Sequence, residues 1–97
     1  MPILESRVAT AHGSRYLQQL CKHWSHKFTV DFTPERGMID FGEGRSCALM
    51  AEAEVLILRA TVPDGGDAER FEGVIADHLK RFAFREELQI TWTRLGD

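Results

Sequence analysis

The segment of residues 71–92 constrains the fold most, because the spacing of its apolar residues changes halfway along. In the first half, apolar side chains recur every three or four positions, and at about 100° per residue they share one face of a helix. That face carries Phe71, Val74, Ile75, His78, Leu79 and Phe82. In the second half Leu88, Ile90 and Trp92 alternate with polar residues, which is typical of a strand with one buried face. The segment therefore predicts an amphipathic helix, a short corner and a strand.

The ends of this helix carry signals of their own. Asp67 follows two glycines and is a candidate N-cap, since its carboxylate can accept hydrogen bonds from the first backbone N–H groups. Lys80, Arg81 and Arg85 lie at the other end, where positive charge is favourable beside the helix dipole.

A second amphipathic helix is predicted nearer the N-terminus. It begins between Thr10 and Ser14, either of which can cap it, and ends near His26. Its apolar face holds Tyr16, Leu17, Leu20, Cys21 and Trp24. Alternating apolar residues bounded by turn residues predict further strands at residues 6–10, 28–33, 38–41, 45–51 and 55–62.

These elements follow the order β-α-β-β-β-β-α-β in a single domain of residues 1–97. Four consecutive strands with short connections favour antiparallel pairing. Each helix has one apolar face, so we expect an α+β fold of two layers, a predominantly antiparallel sheet with both helices on one face. Val55 and Ile57 fall on the opposite face of the sheet. They form either a patch that binds a partner or a second copy of the chain, or simply two scattered exposed apolar residues.

The charge balance argues against nucleic acid as a partner. The 97 residues carry a net charge of −3 and a pI near 5.8, whereas domains that bind nucleic acid usually carry a basic face or total. No apolar run approaches the roughly 20 residues that span a bilayer, and the first ten residues lack a secretory signal pattern. We therefore expect a cytoplasmic protein that binds neither nucleic acid nor membrane, with its two cysteines as reduced thiols.

His78 is the strongest functional lead, because it stands on the apolar face of its helix. If that face is buried, each ring nitrogen needs a partner, and an unmet polar group costs about 1–3 kcal/mol. Tyr16 and Cys21 also face inward and are candidate neighbours. Two interpretations stay open: a core histidine bonded to a carbonyl or to tyrosine, and a histidine lining a pocket for a ligand, haem or metal.

Other side chains offer weaker sites. His23 and His26 lie one turn apart on the polar side of the first helix and form a candidate metal pair, while Cys21 faces away from them. Arg81 and Arg85, also one turn apart, either pair with neighbouring acids or bind an anion such as a carboxylate or phosphate.

No set of residues in the sequence predicts catalysis. Glu86 and Glu87 are adjacent at a turn, so their side chains diverge and do not form an acid–base pair. Cys21 and Cys47 lack the spacing of a known nucleophile motif. A small enzyme is therefore less favoured than a non-catalytic binding domain or a module that binds haem or a metal.

A family resemblance rests on several short groups of residues. They are Arg7-Val8-Ala9-Thr10, Ser14-Arg15-Tyr16-Leu17, Leu20-Cys21-Lys22-His23-Trp24, His26-Lys27, Asp77-His78-Leu79, Arg81-Phe82-Ala83-Phe84-Arg85-Glu86 and Trp92. Together they resemble an uncharacterised bacterial family, domain of unknown function 2218, over nearly the whole chain. The resemblance implies a small cytoplasmic bacterial domain with no assigned activity. Some relatives are joined to, or encoded near, siderophore-interacting flavin reductases. The resemblance therefore implies such a reductase as a partner of this chain and a role for the chain in iron acquisition.

We expect a non-catalytic binding or accessory domain whose small ligand or protein partner is unidentified. Its cofactor is unknown, and a homodimer is one option for its oligomeric state. The alternative is an iron-acquisition module that binds haem, a metal or a ferric siderophore through a pocket around His78. Tyr16, Cys21, Arg81 and Arg85 are the further candidates for ligand binding in either case.

Overall fold

In the computed structural model, which describes residues 2–96, the chain forms two helices and six strands in the predicted order. The strands are β1 (Ile3–Ala9), β2 (Thr29–Phe32), β3 (Arg36–Gly42), β4 (Arg45–Ala51), β5 (Val55–Thr61) and β6 (Trp92–Gly96). The helices are α1 (Gly13–Trp24) and α2 (Ala68–Phe82). The predicted α+β fold is confirmed.

The strands form one antiparallel sheet in the order β2-β3-β4-β5-β1-β6. Alternate residues of each strand point to the same face, and on one face Val8, Leu49 and Leu58 are buried. The same core contains the apolar sides of both helices, including Leu17, Leu20, Ile75 and Leu79. The two layers and the placement of both helices on one face are therefore as predicted.

The two helices begin differently. The Asp67 side chain caps α2 as predicted, accepting from the Arg70 backbone N–H at 3.1 Å. The N-cap position of α1 is His12, with no side-chain cap, so neither predicted residue occupies it. The Thr10 hydroxyl accepts from the His12 backbone N–H at 3.1 Å, while the Ser14 hydroxyl donates to the Pro34 carbonyl at 2.6 Å.

The predicted start of the last strand, at Leu88, is wrong. The β6 ladder begins at Trp92, which lies opposite Ser6 on β1. Burial does alternate before that point, since Leu88 is buried and Gln89 is exposed. Alternating apolar residues indicate which side chains face the core, but a strand also needs a hydrogen-bonded neighbour. β1 continues to Ala9 beside β5, but its pairing with β6 extends only as far as Ser6 and Trp92.

Ile57 does lie on the open face of the sheet, but it is only 3% exposed. The register places it between Arg7 on β1 and Met50 on β4. Directly opposite side chains have Cβ atoms within about 5.5 Å, so these two long side chains can cover it. Ile57 is therefore not exposed, although both interpretations of this face assumed that it is, and Val55 is half-buried.

Neither helix of residues 2–96 is long and apolar enough to cross a membrane.

Candidate ligand-binding groove

Four aromatic rings and an imidazole meet where the C-terminal end of α1 faces α2 and β3. The Phe41 ring centroid lies 4.8 Å from that of Phe28, 5.1 Å from Trp24 and 5.1 Å from Phe71. The His78 ring lies 4.8 Å from Trp24. Rings at these separations hold each other in tilted or edge-to-face arrangements, so the cluster has a defined shape.

These rings line an open groove of about 780 Å³. Trp24 and Phe71 are almost fully buried at its base, while Phe28, Phe41 and His78 are half-buried and present part of their surface to it. The volume falls within the range of small-molecule sites, which are concave and mostly apolar with a few polar groups. The groove can therefore hold a ring-shaped ligand against an aromatic surface.

The rim of the groove is positively charged although the whole chain is acidic. Lys27, Arg45 and Arg70 line it, and Asp67 is the only acidic side chain among its described lining residues. Within residues 2–96, neither Lys27 nor Arg70 forms an ion pair. Arg45 Nη2 lies 3.4 Å from Oε2 of the exposed Glu43, and Arg45 Cζ lies over the Phe71 ring at 5.9 Å from its centroid. The groove thus places unpaired cations beside aromatic surface.

His78 lies on the wall of the groove and is half-buried, so it is not sealed in the core, which was one of the two interpretations that the sequence left open. The buried stripe of α2 is narrower than predicted: Ile75 and Leu79 are buried, whereas Val74 is 38% exposed. Val74 and His78, one turn apart, form the edge of that stripe. His78 Nδ1 lies 2.7 Å from the Val74 carbonyl oxygen. A carbonyl can only accept, so Nδ1 donates, and Nε2 of the neutral ring carries the lone pair.

His23 contacts His78 across the two helices. The ring centroids are 5.2 Å apart, and the His23 ring also packs on Phe82 at 5.7 Å. Burial lowers the pKa of His23, and the nearby His78 and Arg81 lower it further. Helical spacing predicted a pair of His23 with His26, which also lines the groove, and did not indicate the contact with His78.

Tyr16, one of the two candidate neighbours of His78, forms its hydrogen bond with Glu86, whereas His78 bonds to the Val74 carbonyl. The Tyr16 hydroxyl donates to the Glu86 carboxylate, and the Thr10 hydroxyl lies 3.1 Å from both oxygens of the same carboxylate. Thr10, Tyr16 and Glu86 are called the Glu86 corner below. Burial and the hydrogen bond to Glu86 raise the pKa of Tyr16 to about 12. The corner joins the end of β1 and the start of α1 to the chain that follows α2.

Cys21, the other candidate neighbour of His78, lies in the core under β3 and does not line the groove. A Cβ atom at Gly37 would come within 2.7 Å of Cys21 Sγ. Cys47 is fully buried as well, and both cysteines are free thiols. Burial raises the pKa of Cys21 to about 11 and that of Cys47 to about 12, and neither is among the described residues that line the groove.

Arg81 and Arg85 do not line the groove. Arg81 lies close enough to His23 to lower the pKa of that imidazole. Arg85 lies over the Phe84 ring at 5.4 Å and lines a separate depression of about 440 Å³ beside the Glu86 corner. In the described part of the chain, neither arginine forms an ion pair.

The sheet, the two helices and the groove define a small α+β domain with a preformed, cation-rimmed aromatic site. The chain belongs to the family described as "Uncharacterized protein conserved in bacteria (DUF2218)", whose model matches residues 5–93, and the family resemblance is thereby confirmed. The chain is similar to PA4090 from Pseudomonas aeruginosa, known from an NMR structure, with 42% sequence identity, a TM-score of 0.76 and coverage of 96% of each chain. No curated protein matches it.

Proposed function

We propose that this chain is a non-catalytic binding domain whose groove takes a planar organic anion. Such a ligand has an aromatic ring that carries a carboxylate, sulfonate or phosphate. The observation that carries the proposal is the placement of Lys27 and Arg70, which lack ion-pair partners within residues 2–96, beside the ring cluster of the groove. In a chain with a net charge of −3, this local excess of cations favours an anion.

The rings supply the apolar part of the binding energy. Aromatic pairs contribute about 0.5–1.5 kcal/mol beyond the area they bury, and Phe41 and Phe28 have exposed surface for one more ring. The rings already support one another in the free domain, so little conformational entropy is lost when a ligand enters. Arg45 over Phe71 shows how a guanidinium and a ring share this surface.

Binding rather than catalysis is supported by the state of the potential nucleophiles. The two thiols are buried, with the pKa of Cys21 raised to about 11 and that of Cys47 to about 12, so neither is a thiolate near neutral pH. The Glu86 carboxylate is occupied by the hydroxyls of Tyr16 and Thr10. These groups serve packing and stability.

Two dyes of nearly the same shape test the charge preference. Anilinonaphthalene sulfonate (ANS) is an aromatic anion, and phenylnaphthylamine is its uncharged parent. Titration of the folded protein, followed by dye fluorescence, is expected to give tighter binding of ANS. Added salt should reduce that preference, because exposed charges are screened within about 10 Å at 0.1 M.

Paired variants assign the preference to the groove. Lys27→Gln with Arg70→Gln should weaken ANS about five- to thirtyfold and leave phenylnaphthylamine unchanged, since each of the two lost charge contacts contributes roughly 0.5–1 kcal/mol. Lys22→Gln with Lys80→Gln removes the same charge from exposed positions outside the groove and should leave both dyes unchanged. Equal binding of the two dyes by the wild type, or equal effects of the two double variants, would contradict the proposal.

A second candidate ligand is haem or a ferric chelate, as an iron-acquisition module requires. The observation that favours it is the lone pair at His78 Nε2, which follows from the Nδ1 hydrogen bond to Val74. An axial imidazole would shift the Soret band of added ferric haem, and His78→Ala should abolish that shift. A Soret band that is the same with wild type and variant excludes haem as the ligand without affecting the proposed organic anion.

A further inference from the structure

His23 and His78 come from different helices but present their rings to each other at the edge of the groove. We propose that they form a two-imidazole site for a divalent transition metal such as Zn²⁺ or Ni²⁺. Imidazole nitrogen suits these ions, and the pair differs from the His23–His26 pair that the sequence indicated. The site does not depend on the anion proposed above, because its ligands are the imidazoles and not the cations of the rim.

The ring separation matches two ligands of one metal. With metal–nitrogen bonds of about 2.1 Å, an imidazole centroid lies about 3.2 Å from the ion, so two rings at a tetrahedral angle have centroids about 5.2 Å apart. The His23 and His78 centroids are 5.2 Å apart, with ring planes tilted by 46°. The separation of the two ring centroids is therefore compatible with both imidazoles binding one ion.

The tautomer of His78 is already set for metal binding. Its Nδ1 donates to the Val74 carbonyl at 2.7 Å, which leaves Nε2 as the nitrogen with a free lone pair. A second-shell bond of this kind, from the other ring nitrogen to a carbonyl, is usual for metal-binding histidines. His23 makes no side-chain hydrogen bond to a residue of the described chain, so its nitrogens are also available.

Neighbouring rings hold both imidazoles in place. Trp24 lies 4.8 Å from the His78 ring, and Phe82 lies 5.7 Å from the His23 ring. Among residues 2–96, no group of three or more His, Cys, Asp or Glu side chains converges on one point. The remaining coordination positions would be taken by water or by a donor atom of a ligand in the groove, which makes the site exchangeable rather than structural.

Calorimetric titration of the untagged protein with zinc chloride and with nickel chloride tests this inference. The expected result is one saturable site for each metal. His23→Gln and His78→Gln should each weaken binding by about tenfold or more, because the metal then keeps one protein ligand. His12→Gln is the matched control, since His12 lies beside Tyr16 at the other end of α1 and should have no effect.

A second readout guards against loss of folding. His23 is exposed, so His23→Gln should fold as the wild type does. The metal should raise the Tm of the wild type by joining α1 to α2, but should not raise the Tm of His23→Gln. Lys27→Gln with Arg70→Gln should bind zinc normally, which separates this inference from the anion proposal. Absence of a saturable site, or loss of binding in His26→Gln with retention in His78→Gln, would overturn it.

Discussion

The groove and the Glu86 corner lie at opposite ends of α1, and they use their polar groups in opposite ways. In the corner, the Glu86 carboxylate accepts hydrogen bonds from Tyr16 and Thr10, so its polar atoms are satisfied within the protein. In the groove, Lys27 and Arg70 lack ion-pair partners in the described chain. A buried polar group that is satisfied internally stabilises the fold, whereas a positioned group without a partner is free to bind a ligand. The comparison therefore assigns stability to the corner and binding to the groove.

The largest effect is expected from Glu86→Ala. It removes the acceptor of two hydroxyl groups, and hydrogen bonds to a charged group contribute about 1.5–3 kcal/mol, so we expect a loss of about 2–3 kcal/mol in the free energy of unfolding. Urea denaturation measures it. Glu87→Ala, at the exposed neighbouring position, should change stability by less than about 0.5 kcal/mol. If Glu86→Ala left stability intact but reduced ANS binding to the folded protein, the division between the two regions would be wrong.

A smaller loss, of about 1–2 kcal/mol, is expected for Tyr16→Phe at neutral pH, since Thr10 still donates to Glu86. The wild type should also lose stability in alkali. The pKa of Tyr16 is raised from 10.0 to about 12, so between these values the unfolded chain loses the phenolic proton while the folded chain keeps it. The contribution of the Tyr16 hydroxyl to the free energy of unfolding is complete below pH 10 and falls as the pH rises towards 12.

Denaturation of wild type and Tyr16→Phe at several pH values between 9 and 12 isolates this contribution, because all other titrating groups are common to both. The stability difference should shrink as the pH rises. A difference that stays constant across the range would mean that the Tyr16 hydroxyl does not hold its proton in the corner.

The smallest effect on stability is expected in the groove. Lys27→Gln with Arg70→Gln should change the free energy of unfolding by less than about 0.5 kcal/mol, since neither side chain has an ion-pair partner within residues 2–96. The same urea denaturation measures it beside Glu86→Ala. A loss comparable to that of Glu86→Ala would show that the groove cations support the fold and would remove the contrast between the regions.

Most of the fold follows from local patterns. The periods of about 3.6 and 2 located both helices and the order of the strands, and Asp67 marked the start of α2. The start of β6 did not follow, because Leu88 faces the core without a hydrogen-bonded neighbour. A ladder depends on a second strand, and that information is not local.

The candidate site was harder to predict for the same reason. Helical periodicity gives the direction of a side chain around its own helix, but the His23–His78 contact depends on how far α1 and α2 are offset along their lengths. Glu86 meets Tyr16 across 70 positions of the chain. The inward tyrosine indicated that an acceptor was needed, and nothing in the spacing identified which one.

The most direct test of the account is the amide and indole N–H spectrum of the ¹⁵N-labelled protein during titration with ANS. Trp24 lies at the groove and Trp92 lies on β6, so their indole signals report on different places. The account predicts that the Trp24 indole signal and the backbone amides around Arg70 shift progressively, while Trp92 and the Glu86 corner do not. Shifts centred on Trp92 or on Glu86, with Trp24 unmoved, would contradict it.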